Sequence, residues 1–271
     1  MSVFQPKKRF SQNYLTDKNI AKKIVRLFME SESIDNKFAK SINLLEIGPG
    51  QGILTEYLLL EQNLNLKMVE IDEQMVAYLR VKYQHVAESI LLNDVLKLDF
   101  PSLFKGDNDQ ADGRFSIIGN FPYGISSQIL FKIIHEHYWI KNLVGMFQLE
   151  VAQRIVAKPS SKEYGILSVL VQTYFDAKIL MNIGNQAFDP RPKVTSAVLG
   201  LSKIVEPKSL QNPELYIKIV KAAFSKRRKV LRNTLDDFKF DNNETTKELF
   251  VKRAEQLFPK DFILLANSVV S

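Results

Sequence analysis

The run Gly119-Asn120-Phe121-Pro122-Tyr123 brings a side-chain amide, a backbone carbonyl, a proline and a phenol ring together. An amino group on a nucleobase is a poor nucleophile, because its lone pair is delocalised into the ring. The Asn120 side-chain oxygen and the Phe121 carbonyl can each accept one of its hydrogens. That draws the nitrogen toward a tetrahedral shape and frees the lone pair for attack. Pro122 fixes the turn, and Tyr123 offers a ring face to a base taken out of its stack. The plainer alternative is a β-turn with a buried tyrosine.

Three further positions suit a nucleoside-bearing ligand. Leu45-Glu46-Ile47-Gly48-Pro49-Gly50-Gln51-Gly52 reads as a strand entering a glycine-rich turn. Glycines there allow close approach of a ligand to the backbone, and a following helix N-terminus favours an anionic group. The spacing is G-x-G-x-G, without the third glycine of the G-x-G-x-x-G dinucleotide fingerprint. Glu70 follows roughly 20 residues later, at the end of the next strand, where an acid can accept both hydroxyls of a ribose. Asp72 reads instead as an exposed cap of the next helix. Asp94 follows the third strand and could accept an adenine amino group.

These residues have to be carried by alternating strands and helices. Apolar runs predict strands at Ile42–Ile47, Leu66–Ile71, Ile90–Leu92, Phe115–Ile118, Leu143–Phe147, Ile179–Ile183 and Val194–Leu201. Helical spacing follows several of them, at Ile53–Leu58, Met75–Leu79, Ile129–Ile134 and Val151–Val156. Lys105–Gly113 reads as a loop. This alternation predicts a doubly wound α/β sheet, and every candidate residue above falls at the C-terminal end of a strand, where such sheets bind ligands. Beyond Lys203 the strand signal stops. Leu215–Phe224, Val230–Phe238, Thr245–Phe258 and Asp261–Val270 read as short helices, with Pro207 and Pro213 bracketing a linker. The expected organisation is a sheet domain over 1–203 and a small helical domain over 204–271.

Composition narrows the chemistry. The 271 residues contain no cysteine, which excludes disulfides, a thiol nucleophile and thiolate metal ligands. The histidines are His85, His135 and His137, and their spacing does not suit a metal, so none is expected. No apolar stretch is long enough for a membrane span, and the basic N-terminus lacks the apolar block of a secretory signal. A cytoplasmic location, a monomeric state and no membrane partner are the expectations. The net charge is +7, concentrated in Lys7-Lys8-Arg9 and in Lys226-Arg227-Arg228-Lys229 with Arg232. Such clusters attract nucleic-acid phosphates, although charge alone also serves solubility.

The Asn120–Tyr123 run resembles the N/D-x-P-Y/F motif of methyltransferases acting on exocyclic amino groups. The chain as a whole resembles the KsgA-type small-subunit ribosomal RNA adenine N6,N6-dimethyltransferases. Lys8-Arg9-Phe10-Ser11-Gln12-Asn13-Tyr14-Leu15 is similar to that family's N-terminal motif, with Ser11 where glycine is usual. Ala187-Phe188-Asp189-Pro190-Arg191-Pro192-Lys193-Val194 with Ser196-Ala197-Val198, and Ala223–Lys229 with Leu231-Arg232-Asn233, are similar to its later motifs. The likeness runs from Lys7 to about Leu235. Two positions depart from the usual N-L-P-Y-N: Phe121 replaces leucine, and Gly124 replaces an asparagine whose amide contact is thereby lost.

The resemblance implies a Rossmann-like class I methyltransferase sheet domain with a C-terminal helical domain. It implies S-adenosylmethionine as cofactor and S-adenosylhomocysteine as product. Asn13, Leu15, Gly48, Glu70, Asp94 and Asn120 correspond to cofactor contacts, and Asn120, Phe121, Pro122 and Tyr123 to the reacting site. Tyr123, Phe188, Lys226, Arg227, Arg228 and Arg232 are the candidates for RNA contact. Phe188 is set on the opposite face of the base, with a core phenylalanine as the alternative. The implied activity is dimethylation of adjacent adenosines in 16S ribosomal RNA, within a small-subunit precursor particle, as a step of ribosome biogenesis. The competing readings are a large-subunit adenine dimethyltransferase of the macrolide-resistance type, a non-catalytic assembly factor and a nicotinamide-dependent dehydrogenase.

Overall fold

The computed structural model describes residues 13–35, 41–105, 113–205, 207, 209–226, 228–241 and 244–270. In chain order these form β1 (Tyr14–Leu15), α1 (Lys18–Asp35), β2 (Ile42–Ile47), α2 (Thr55–Leu58), β3 (Leu64–Glu70), α3 (Glu73–Lys82), β4 (Ile90–Leu92), β5 (Phe115–Asn120), α4 (Ser126–His135), β6 (Ile140–Gln148), α5 (Leu149–Val156), α6 (Ile166–Tyr174), β7 (Phe175–Ile183), β8 (Phe188–Asp189), β9 (Ser196–Lys203), α7 (Pro213–Ala223), α8 (Glu244–Phe250) and α9 (Pro259–Asn267). The chain separates into two compact units, Met1–Ala152 with Lys178–Lys203, and Gln153–Ala177 with Ile204–Ser271.

The first unit is built on a sheet of order β4-β3-β2-β5-β6-β9-β7. Strands β4, β3, β2, β5 and β6 run parallel, and β9 is antiparallel to β6, from Asn142↔Ser202 to Gln148↔Ser196. The central strands are covered on both faces, so they read as continuous apolar runs, not as alternating ones. Leu44, Leu45, Ile117, Ile118 and Leu143 are all fully buried. The chain lays β3 and β4 to one side of β2, then β5 and β6 to the other. The order reverses between β2 and β5, and a crevice opens at their C-terminal ends.

Helix α1 precedes every element placed from the sequence, although its signal is plain. Ala21, Ile24, Val25 and Phe28 recur at helical spacing and are buried. The Asp17 carboxylate caps its start, accepting the N–H groups of Asn19 and Ile20 at 2.9 and 3.1 Å. One turn further on, buried Glu32 accepts from Ser116 Oγ at 2.5 Å and Asn142 Nδ2 at 2.8 Å, which ties α1 to β5 and β6. The short β1 pairs with β8, Tyr14 opposite Asp189 and Leu15 opposite Phe188. Thr16 extends this pairing through its N–H to the Ala187 carbonyl at 2.8 Å.

The second unit is helical. Gln153–Ala177, read from the sequence as part of the sheet domain, clusters here with the C-terminal stretch. Side-chain bonds explain the attachment. Tyr164 donates its hydroxyl to the Leu257 carbonyl at 2.8 Å, and Thr173 Oγ1 meets the Tyr216 hydroxyl at 2.6 Å. The rings of Phe224 and Phe262 stack at 5.8 Å between α7 and α9. Two predicted helices shrink. Val230–Phe238 contributes one tight turn, Leu231–Asn233, because Asn233, Thr234, Asp236 and Asp237 favour local backbone bonds over helix. Thr245–Phe258 breaks after Phe250, where Leu231 N–H takes the Lys252 carbonyl instead.

Candidate active site

The crevice at the β2/β5 reversal holds a cleft of about 100 Å³, placed where open α/β sheets bind their ligands. Asn13, Leu15, Gly48, Glu70, Asp94, Asn120, Phe121, Pro122 and Tyr123 all line it. They come from the ends of β1, β2, β3, β4 and β5, so folding gathers residues spread over more than a hundred positions.

Gly48 begins the turn after β2 with a φ of +66°, a left-handed conformation that a side chain resists. A Cβ on Gly48 would project into open space, its nearest neighbour the Asn120 carbonyl at 4.0 Å. At Gly50 a Cβ would press on the Tyr14 ring at 3.0 Å. The bare turn is therefore a cradle, with the Tyr14 ring laid over it.

Glu70 leaves β3 almost completely buried. Its carboxylate accepts the N–H groups of Gly50, Ile71 and Asp72 at 3.1, 2.9 and 3.0 Å. Burial raises its pKa, and these three donors oppose that rise. Asp72 caps α3 by accepting the Gln74 N–H at 3.0 Å, as the sequence indicated, but it is buried and not exposed. Asp94 also caps, taking the Leu96 N–H on Oδ1 at 2.9 Å while lining the cleft.

Asn120 ends β5. Its Nδ2 donates to the Asn13 carbonyl at 2.8 Å. Only the NH₂ end of the amide can make that bond, so the amide is turned with its oxygen as the remaining acceptor. The Phe121 side chain points away from the cleft chemistry, 1% exposed, with its ring 4.9 Å from that of Phe147. Its ring fits only because Gly119 and Gly145, opposite one another on β5 and β6, leave space for it. The Pro122 carbonyl accepts the Ile125 N–H at 3.1 Å, closing the turn into α4. The Tyr123 hydroxyl is bonded to Ser196 Oγ on β9, which fixes its ring, and burial raises its pKa.

Glu46 and Tyr14 are cleft residues with no role assigned from the sequence. Glu46 is fully buried beneath the glycine turn, accepts from Thr55 Oγ1 at 2.7 Å, and is pushed up to about 7 by burial. The position of Tyr14 between Asn13 and Leu15 was visible, but its contact with Gly50 was not.

Phe188 does not line the cleft. It is 2% exposed and packs with Leu15, Ile183 and Val198 in the core, as the core alternative has it. Strand β8 pairs it with Leu15, and that pairing spends the ring on packing. Lys226, Arg228 and Arg232 are exposed on the helical unit, and Arg232 edges a hollow lined by Phe238, Phe240 and Phe250. Arg227 and the segment before Asn13 lie outside the described residues, as does most of the predicted 105–113 loop. Among the described residues, no cluster of three His, Cys, Asp or Glu side chains could hold a metal ion, and no helix is long and apolar enough to cross a membrane.

Residues 3–267 match the family model for ribosomal RNA adenine dimethylase. The chain belongs to the ribosomal RNA adenine dimethylase family. Curated relatives in it include the ribosomal RNA small subunit methyltransferase A of Bacteroides fragilis, 39% identical over 99% of this chain and 94% of that protein. That of Cytophaga hutchinsonii is 38% identical over 98% of each. Among solved structures, a dimethyladenosine transferase from Plasmodium falciparum has a TM-score of 0.72 at 24% identity, covering 93% of this chain and 95% of that one. The 23S rRNA methyltransferase ErmE has a TM-score of 0.66 at 22% identity, covering 95% and 99%. These two likenesses carry the fold, a Rossmann-like class I methyltransferase sheet.

Proposed function

We propose that this chain dimethylates the N6 amino groups of adjacent adenosines in small-subunit 16S ribosomal RNA, using S-adenosylmethionine. The substrate class follows that of the small-subunit ribosomal RNA methyltransferases, 38–39% identical over nearly full length. One observation carries the chemical reading: the Asn120 amide is turned by the Asn13 carbonyl so that its oxygen serves the cleft.

The residues present fit the cofactor. The bare Gly48 cradle admits close approach of a ligand, and Glu70 and Asp94 supply acceptors on successive strand ends. Asn13, Leu15, Gly48, Glu70, Asp94 and Asn120 would hold it. When bound, S-adenosylmethionine supplies an already activated methyl group, so neither a metal nor a covalent enzyme intermediate is required. Asn120 Oδ1 and the Phe121 carbonyl accept the two N6 hydrogens and favour a tetrahedral nitrogen. These bonds strengthen as the nitrogen attacks, and an interaction stronger in the transition state lowers the barrier. Tyr123, tethered to Ser196, stacks on the base. The alkylated amine is strongly acidic and loses its proton without a dedicated base. A second round needs a pocket that admits a monomethylated nitrogen.

The exposed Lys226, Arg228 and Arg232, together with Arg227, are assigned to the RNA backbone. The working form is a monomer in the cytoplasm, acting on a small-subunit precursor particle in ribosome biogenesis. Mapping dimethyladenosine in ribosomal RNA from cells with and without the gene tests the assignment. Loss of adjacent dimethyladenosines from 16S RNA is expected, and loss from 23S RNA would transfer the function to the large subunit. Asn120→Ala tests the mechanism. A fall of about 10²–10³ in single-turnover rate is expected, by analogy with loss of one preorganised polar contact. A folded Asn120→Ala protein that methylates at the parent rate would overturn it.

A further inference from the structure

Tyr14 carries an unused polar group at the edge of the cleft. Its hydroxyl oxygen is buried and has no hydrogen-bond partner among the described residues. A buried hydroxyl left unpaired is costly, so a group that arrives later is the natural partner. The ring lies against Gly50, and Gly50 N–H is bonded to Glu70 Oε2. That chain of contacts sets Tyr14 beside the carboxylate assigned to the ribose. Burial above all, and then the Glu70 and Asp72 carboxyls, push the pKa of the hydroxyl up and keep it protonated, as a donor.

The chemistry of a ribose diol calls for such a donor. Each hydroxyl has a hydrogen to give and lone pairs to fill. Glu70 can only accept, and three of its acceptor positions already serve backbone N–H groups. A neutral phenol supplies what the carboxylate cannot. The strand that carries it is held by its pairing with β8, so the hydroxyl is presented by a fixed backbone.

We propose that the Tyr14 hydroxyl donates a hydrogen bond to a ribose oxygen of the bound cofactor, completing with Glu70 a donor–acceptor pair for the diol. This rests on the nucleoside reading of the cleft given above. It makes the segment around Asn13–Leu15 a recognition element as well as a cover, because the same strand orients Asn120 through the Asn13 carbonyl and reads the ribose through Tyr14.

The test is calorimetric binding of S-adenosylhomocysteine, and of its 2′-deoxy and 3′-deoxy analogues, to the full chain and to Tyr14→Phe. The variant keeps the ring on Gly50 and loses only the hydroxyl. One hydrogen bond is worth about 0.5–1.5 kcal/mol net, so affinity should fall roughly two- to thirteenfold. One deoxy analogue should bind the two proteins alike. Melting without ligand should be unchanged or slightly higher in Tyr14→Phe, because an unpaired group has been removed, while the ligand-induced rise in Tm shrinks. Equal affinity of both proteins for S-adenosylhomocysteine overturns the Tyr14 contact and leaves the cleft assignment standing. Loss of the same factor for every analogue overturns the ribose as its partner. A parent protein that fails to bind S-adenosylhomocysteine, with Glu70→Ala likewise inert, overturns the nucleoside reading and the contact together.

Discussion

Replacing Gly145 by alanine should disable the reacting site from beneath. Gly145 lies on β6 opposite Gly119, under the Phe121 ring. A Cβ there would stand 2.3 Å from Phe121 Cε2, 2.9 Å from Cζ and 3.0 Å from Cδ2. Carbon atoms prefer about 3.5–4.0 Å, so the ring must retreat by roughly 1 Å or more. It has little room, being 1% exposed and packed on Phe147. The displacement therefore passes to the backbone that carries the Phe121 carbonyl and adjoins Asn120. A misplacement of about 1 Å can cost on the order of 10²-fold in rate, and overpacking a core costs about 1–3 kcal/mol of stability. Single-turnover methylation of ribosomal RNA at saturating cofactor measures the rate, and calorimetry with S-adenosylhomocysteine measures the cleft. The rate should fall by more than the cofactor affinity, since Gly48 and Glu70 are untouched and Asn120 is the one cofactor residue beside the displaced backbone. Phe121→Leu restores the residue usual in the family and removes the obstructing ring, so the double variant should regain most of the rate. A Gly145→Ala protein at parental rate, or a double variant no faster than the single one, would refute the reasoning.

Other changes probe the remaining links. Glu70→Ala removes an acceptor shared by three backbone N–H groups, each orphaned donor costing roughly 1–3 kcal/mol; both cofactor affinity and Tm should drop. Asp94→Ala should also weaken cofactor binding, and lose about 0.5–2 kcal/mol as a cap; unchanged affinity in both variants by calorimetry would remove these residues from the site. Glu46 ionises at about 7 in the folded protein against 4.5 ordinarily. The unfolded chain thus releases its proton first, and stability should decline as pH rises from about 4.5 to about 7, then level off. Glu46→Gln should flatten that decline to the share left by Glu70, whose pKa burial also raises, and an unaltered slope in denaturant midpoints against pH would contradict the assignment. Replacing exposed Lys226 and Arg228 by glutamate should weaken RNA binding and flatten its salt dependence without affecting Tm. Equal binding at every salt concentration would make the cluster a solvated face.

The sheet and most of the cleft were legible in the sequence because local chemistry dictates them. A buried parallel strand must be a continuous apolar run, so Ile42–Ile47 and Phe115–Ile118 announced themselves. A turn that needs left-handed backbone must use glycine, so Gly48 and Gly50 were visible. An amino-group site needs acceptors and a ring at fixed offsets, so Asn120–Tyr123 stood out. Helix α1 is equally legible, from the helical spacing of Ala21, Ile24, Val25 and Phe28.

What the sequence could not decide is which distant residues share space. Pairing of β1 with β8 sets Leu15 against Phe188, and turns a candidate base contact into core. Antiparallel entry of β9 brings Ser196 to the Tyr123 hydroxyl. Parallel pairing of β5 with β6 sets Gly119 against Gly145 and so admits Phe121 where leucine is usual. Gln153–Ala177 joins the helical unit because its hydroxyls and rings find partners near Tyr216 and Leu257. Each of these depends on strand register or packing between segments tens to hundreds of residues apart. Periodicity along the chain reports which face of an element is buried; only the tertiary fold determines what that face is buried against.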